Sequence, residues 1–206
     1  TINVWEKLKK ETRPLLMYGM GVGAEKILGV LSRFNIPVEA IFTSDNVQRE
    51  RTFMGIQVFT YEQAVQKYGD FAIVLAFANS RKEMLEKMFE LKAKHPLYLP
   101  DVPICGDELF TYEYYLRNKD RFEEAYSLLS DELSKNVFEA TINYKISGNI
   151  DYLKDISTTP KESYETIIKP SDHEYFYDLG AYDGDTICEF LKYTNGNYAK
   201  IVAMEP

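Results

Sequence analysis

Two stretches of this chain share one pattern: a short apolar run, a glycine-rich turn, then a segment able to form a helix. The first is PLLMY (residues 14–18) followed by GMGVGAEKILGVLSRFN, where Ile27, Leu28, Leu31 and Phe34 recur at helical spacing. The second is YFYDLGAYDGDTICEFL, near the end of the 206 residues, which runs on into the strand-like KIVAME. A strand that turns on glycines straight into a helix opens a βαβ unit. Such units assemble into parallel sheets with helices on both faces.

Residues 14–100 fill out that pattern. VEAIF and IQVF read as short strands. TYEQAVQKYG reads as a helix with Thr60 as N-cap and Gly69 as stop. FAIVLAF has the continuous apolar character of a strand buried on both faces. SRKEMLEKMFELKAKHP opens with Ser80 and Glu83 at capping-box spacing and ends before Pro96, and LYL follows as a last strand. The fold class expected is α/β. An N-terminal Rossmann-like parallel sheet spans residues 1–105, a helical connector 106–170, and the incomplete βαβ start of a second sheet 171–206. Within the connector, two or three amphipathic helices are expected, with Ser130 as an N-cap and Gly148 as a stop. Its stripe of Phe122, Tyr126, Leu129, Leu133, Val137 and Phe138 reads as core.

Charge narrows the partners. Residues 1–105 carry 14 basic and 12 acidic side chains, and residues 106–206 carry 10 and 20, within an overall charge of −8. The acidic half repels a polyanion, so no nucleic-acid partner is expected. The longest apolar run, residues 71–78, is too short for a membrane span, and no membrane partner is expected. The N-terminus lacks an apolar signal core and an initiating Met, so the chain reads as an excised piece of a longer, cytoplasmic protein. Cys105 and Cys188 read as reduced, buried thiols, and His95 and His173 as structural, which leaves no metal site.

The two glycine turns differ in electrostatics. Gly19, Gly21 and Gly23-Ala24 fit G-x-G-x-x-G/A, with Ala24 as the small third residue that lets helix pack on strand. Asp45 follows Ala24 by 21 residues, near where a ribose-binding acid belongs, although Thr43 holds the more usual place. With no acid before Glu25, the helix N–H groups suit a phosphate, so a nucleotide is one reading of this turn and a purely structural role the other. The second turn places Asp178, Asp183 and Asp185 around Gly180, Ala181, Tyr182 and Gly184. Two unit charges roughly 4 Å apart interact by about 4 kcal/mol at an effective dielectric near 20, so this turn disfavours pyrophosphate. It favours a phosphate-free ligand bearing an ammonium and a sulfonium, as S-adenosylmethionine does. Glu205 follows Gly184 by 21 residues at a strand end, where an acid accepts from both ribose hydroxyls.

YDLGAYDGDTICEFL with IVAMEP resembles motif I and the next strand of class I S-adenosylmethionine-dependent methyltransferases, most of all the FkbM-type group with its D-x-G-A-x-x-G-D-T and later E-P. The helices RFEEAYSLLSDELSKNVFEATINYKISGN look like the segment ahead of that group's core, and residues 14–100 like a nucleotide-binding-type module fused before it. The resemblance implies methyl transfer, commonly to an oxygen of a sugar or natural-product small-molecule acceptor. Asp178, Gly180 and Gly184 would lie along the methionine part of the cofactor, and Glu205 would hold the ribose. No catalytic base is carried over, because the family's later motifs are absent from the sequence. The expectation is an N-terminal part that is inactive by itself. The alternatives are a nucleotide- or nucleotide-sugar-binding module centred on residues 18–45, and an interaction domain whose aromatic connector forms a homodimer.

Overall fold

The computed structural model describes residues 2–44, 52–77, 82–154, 156 and 158–205. They form two compact units, Thr1–Ile156 and Ser157–Pro206.

The first unit begins with a helix that the glycine patterns do not announce, α1 (Val4–Lys10). Asn3 caps it by accepting from the Trp5 N–H at 3.0 Å. Val4, Trp5 and Leu8 are buried, each worth roughly 1.5–3 kcal/mol of apolar burial. There follow β1 (Leu15–Tyr18), α2 (Val22–Arg33), β2 (Ala40–Thr43), β3 (Thr52–Phe53), β4 (Ile56–Thr60), α3 (Tyr61–Tyr68), β5 (Ala72–Leu75), α4 (Lys82–Lys94) and β6 (Leu97–Tyr98). The sheet runs β3-β4-β2-β1-β5-β6. All neighbours are parallel except the β3–β4 pair. Strands β1, β2 and β5 are buried at every residue, as expected of strands with helices on both faces. Thr60 and Gln63 close a full capping box on α3, and Gly69 ends it at φ 66°. Ser80 of the expected α4 cap lies outside the described residues.

The expected connector helices follow as α5 (Tyr112–Arg117), α6 (Lys119–Ser127) and α7 (Glu132–Ser147). The α7 cap is Asp131 rather than Ser130, because its carboxylate accepts from the Ser134 N–H at 2.8 Å. A carboxylate beside the positive helix end is a stronger acceptor than the neighbouring hydroxyl. Gly148 stops α7 in the left-handed conformation at φ 60°. A Cβ there would stand 2.6 Å from Val4 Cγ2 and 3.2 Å from the Leu99 carbonyl oxygen, so α1, the end of α7 and the residue just past β6 meet at this one small residue. A 3-10 turn, Ile150–Leu153, follows, and Ile150 is buried. His95 is structural, as expected: its ring stacks on Phe71 at 4.0 Å and its Nε2 lies 3.0 Å from the Tyr61 hydroxyl. Burial holds its pKa below the usual imidazole value.

The second unit holds a short helix α8 (Pro160–Glu162) that widens into a π turn (Ser163–Ile168), then β7 (Tyr175–Leu179), α9 (Asp185–Tyr193) and β8 (Lys200–Met204). Strands β7 and β8 pair in parallel and form a two-stranded sheet. Phe176 stacks on Phe190 of α9 at 4.3 Å, which covers one face. Tyr175, Tyr177, Leu179 and Met204 remain exposed. Both cysteines are also exposed, against the expected burial. Cys188 takes an outward position of α9, whose inward position belongs to Phe190, and Cys105 sits in an irregular loop. Among the described residues no helix is long and apolar enough to cross a membrane, and no group of metal-ligating side chains is present.

Candidate functional site

Parallel strands put their carboxyl ends, and the turns that leave them, on one edge. In the second unit that edge gathers every residue singled out in the second glycine turn. The Gly180 and Ala181 N–H groups both donate to the Met204 carbonyl, at 2.7 and 3.0 Å. The Tyr182 N–H donates to Glu205 Oε2 at 2.7 Å. The turn is therefore laced to the end of β8, and Glu205 is brought against it across 23 residues of sequence. One Glu205 oxygen is used by that bond and Oε1 is outside it. Met204 contributes only through its backbone, so no residue-type signal could have found it.

The backbone of the turn is left-handed at Gly180 (φ 96°), Tyr182 (φ 42°) and Gly184 (φ 84°). A Cβ added at Gly180 or Gly184 would meet nothing within 4 Å. These two glycines are needed for their dihedral angles, and the space above them is open to a ligand. Tyr182 holds the same region without being glycine, at a cost of order 1–3 kcal/mol, and the Glu205 bond is the contact that fixes it.

The acidic groups play two roles. Asp183 Oδ1 accepts from the Asp185 N–H at 3.2 Å, and Asp185 Oδ1 accepts from the Thr186 N–H at 2.8 Å. The first N–H groups of α9, which elsewhere hold a phosphate, are thus already met by carboxylates. Asp178 lies on the same side of β7 as Phe176 and is only 8% exposed. Its Oδ2 is buried without a hydrogen-bond partner. A buried carboxylate left unpaired costs several kcal/mol, so this oxygen calls for a donor or a cation. The residues present thus fit a ligand with positive charge and no phosphate.

The first turn sits at a different kind of edge. In its sheet the order reverses between β1 and β5, and the turn leaves β1 at that switch point. The Gly19 N–H donates to the Phe42 carbonyl at 3.1 Å. Gly21, at φ 113°, precedes α2 with no side-chain cap and with open space around it. Gly23 makes the closest approach: a Cβ there would stand 2.4 Å from the Ala76 carbonyl oxygen. Ala24 is fully buried in one cluster with Leu15 and Met17 of β1 and Val74 of β5, as expected of a small residue where helix packs on strand, and Gly23 beside it comes closest to the backbone. Gly19 faces the Phe77 ring, whose edge would lie 2.6 Å from an added Cβ. Asp45 lies outside the described residues.

The chain is thus α/β, with a mostly parallel six-stranded sheet in its first unit and, in its second, a parallel β7–β8 pair that carries the glycine turn with Asp178 and Glu205. No protein-family model and no curated protein matches the sequence. Among solved structures, the chain is similar to the methyltransferase FkbM from Methylobacillus flagellatus KT, at 17% identity and a TM-score of 0.57. That likeness covers 100% of this chain and 59% of the other, so the chain spans somewhat over half the length of the structure it matches. It shows the FkbM methyltransferase fold.

Proposed function

We propose that this chain is the N-terminal part of an S-adenosylmethionine-dependent methyltransferase, with residues 171–206 forming the first half of the cofactor site. The observation that supports this most is the turn between β7 and α9: two open, left-handed glycines, a helix end already neutralised by carboxylates, and the orphaned Asp178 oxygen. When bound, the cofactor supplies a methyl group made electrophilic by its sulfonium. In this reading Asp178 and Asp183 balance the cofactor's positive charge, and Gly180 and Gly184 let its methionine part approach the backbone. Glu205 accepts from the ribose hydroxyls, each charge-assisted bond worth about 1.5–3 kcal/mol. The acceptor is an oxygen of a small sugar or natural-product molecule. The base and the acceptor pocket come from outside these residues, so the 206-residue chain alone is inactive. We place the protein in the cytoplasm.

The test is calorimetry on the whole protein that carries this chain. S-adenosylmethionine should bind it, and Asp178→Ala and Glu205→Ala should each weaken binding at least about tenfold, the ratio for roughly 1.4 kcal/mol. Unchanged affinity in both variants would sink the assignment. The isolated 206 residues should bind weakly at best, and a micromolar constant there would overturn the half-site reading.

A second reading rests on the uncapped start of α2: the first unit binds a nucleotide or nucleotide-sugar over Gly19 to Gly23. Val22 is 68% exposed in the first turn of α2, so Val22→Asp adds charge without backbone strain. Binding of such a ligand that this substitution abolishes supports the module; no binding to either protein removes it.

A further inference from the structure

The aromatic stripe of the connector does not close into a core. No side chain of α5 or α6 is buried, and Leu133 is 60% exposed. The rings instead wall a cleft of about 390 Å³ between α5, α6 and α7. Phe122 lies 5.3 Å from Tyr115 and 6.4 Å from Phe138, and Tyr126 lies 5.9 Å from Phe138, ring centre to ring centre. Tyr112 adds a fifth ring, Ile142, Asn143 and Ile146 of α7 line the rest, and two carboxylates, Glu123 and Glu139, stand in the lining. The lining contains no lysine, arginine or histidine.

That composition selects a ligand. The volume falls in the range of small-molecule sites. Aromatic faces carry negative potential, so converging rings attract a cation that has a weakly hydrated, apolar surface. The carboxylates add charge of the same sign. The Glu139 carboxylate beside the Tyr126 hydroxyl raises that phenol's pKa. Glu123 meets Lys119 at 3.2 Å in an exposed pair that solvent screens; the nearby Lys135 pairs with Glu132 at 3.1 Å and its ammonium stands 5.8 Å from the Tyr126 ring centre, so a cation is already drawn to one wall of the cleft. An anion would face five rings and two carboxylates there, and a neutral apolar ligand would leave the carboxylates unanswered.

We propose that this cleft is a binding site for a small organic cation of the substituted or quaternary ammonium class. It lies wholly within the first unit and stands independently of the methyl-transfer reading. The experiment titrates the full chain with choline and, separately, with its uncharged dimethylbutanol isostere. Ring resonances of Tyr115, Phe122, Tyr126 and Phe138 are followed by NMR, alongside sedimentation velocity. Choline should bind saturably, shift those resonances, and bind at least about fivefold tighter than the isostere. Glu139 is exposed, so Glu139→Gln should keep the fold and weaken choline several-fold while leaving the isostere unchanged. Equal affinity for the two ligands, or no binding of choline, would overturn the proposal. So would a dimer with these rings at its contact, since the cleft would then be a protein interface.

Discussion

Two glycines of α2 have opposite needs. Gly23 faces the Ala76 carbonyl oxygen, where an added Cβ would stand at 2.4 Å. Gly29, two turns on, is exposed and meets nothing within 4 Å. An alanine gains up to about 1 kcal/mol over glycine inside a helix. At Gly29 that gain is unopposed, so Gly29→Ala should stabilise by roughly 0.5–1 kcal/mol. At Gly23 the obstacle is backbone and cannot rotate away, and overpacking of that kind costs about 1–3 kcal/mol. Gly23→Ala should therefore lower the denaturation midpoint although it improves helix propensity. Urea melts of the two variants decide this, and a stabilised Gly23→Ala would show that α2 does not press on the Ala76 carbonyl. The spacing of Gly19, Gly21 and Ala24 made a close helix–strand contact legible in the sequence. That Gly23 would come against the Ala76 carbonyl as well was not, because only the rotation of the helix decides which of two neighbouring small residues meets backbone. The Met204 carbonyl was equally hidden, since backbone acceptors leave no mark on residue type.

Elements outside the glycine patterns are held by charge as well as by burial. The 3-10 turn after α7 is tied to α4 by Lys92, which donates to Asn149 Oδ1 at 2.8 Å and pairs with Asp151. Lys154 meets the other Asp151 oxygen at 2.9 Å. The hydrogen bonds from Lys92 and Lys154 hold the Asp151 carboxyl down at about 2. A carboxyl depressed in the folded state contributes stability above its unfolded pKa, near 3.9, and loses it as pH falls through the folded value. Wild type should therefore exceed Asp151→Asn in urea midpoint at pH 6, with the gap narrowing between about pH 4 and pH 2. Because Asp151 is nearly half exposed, the gap at pH 6 should stay below about 1 kcal/mol. A gap that widens on acidification would show the pair to be destabilising. None of this was readable beforehand: Lys92 and Asp151 are 59 residues apart, and their meeting depends on Gly148 stopping α7 where it does. The helix α1 was readable in principle. Asn3 before Val4, Trp5 and Leu8 is a cap followed by an apolar face, but seven residues give too few turns for periodicity to stand out.

Across the whole chain the same local signature produces two very different cores. Both glycine turns follow an apolar run and precede a helix, and on sequence they look alike apart from charge. In the first unit that opening strand, β1, has a neighbour on each side and all four of its residues are buried. In the second unit, among the described residues, only Ala181 and Phe190 of the apolar side chains are buried. Strand β7 pairs with β8 alone, and Tyr175, Tyr177 and Leu179 are 66%, 56% and 74% exposed. Periodicity reports that a strand can form, but not how many strands will lie beside it: five strands of the first sheet were legible, the two-residue antiparallel β3 was too short to show any pattern, and the partners of β7 and β8 could not be read at all. A two-stranded unit with one covered face is marginal in water, and native-state hydrogen exchange resolves such differences amide by amide. The β7 and β8 amides of the 206-residue chain should exchange through local opening, at least about a hundredfold faster than those of β1 and β5. Glu205 and the glycine turn ride on the same strands, so weak protection there is the physical basis for the weak cofactor binding proposed for these residues alone. Under the proposed function, chain packed on the exposed face should raise the protection of β7 and β8 towards that of β1. Equal protection of both units in the 206 residues alone would mean that the second unit is a stable domain in its own right, and the half-site reading would then lose its physical basis.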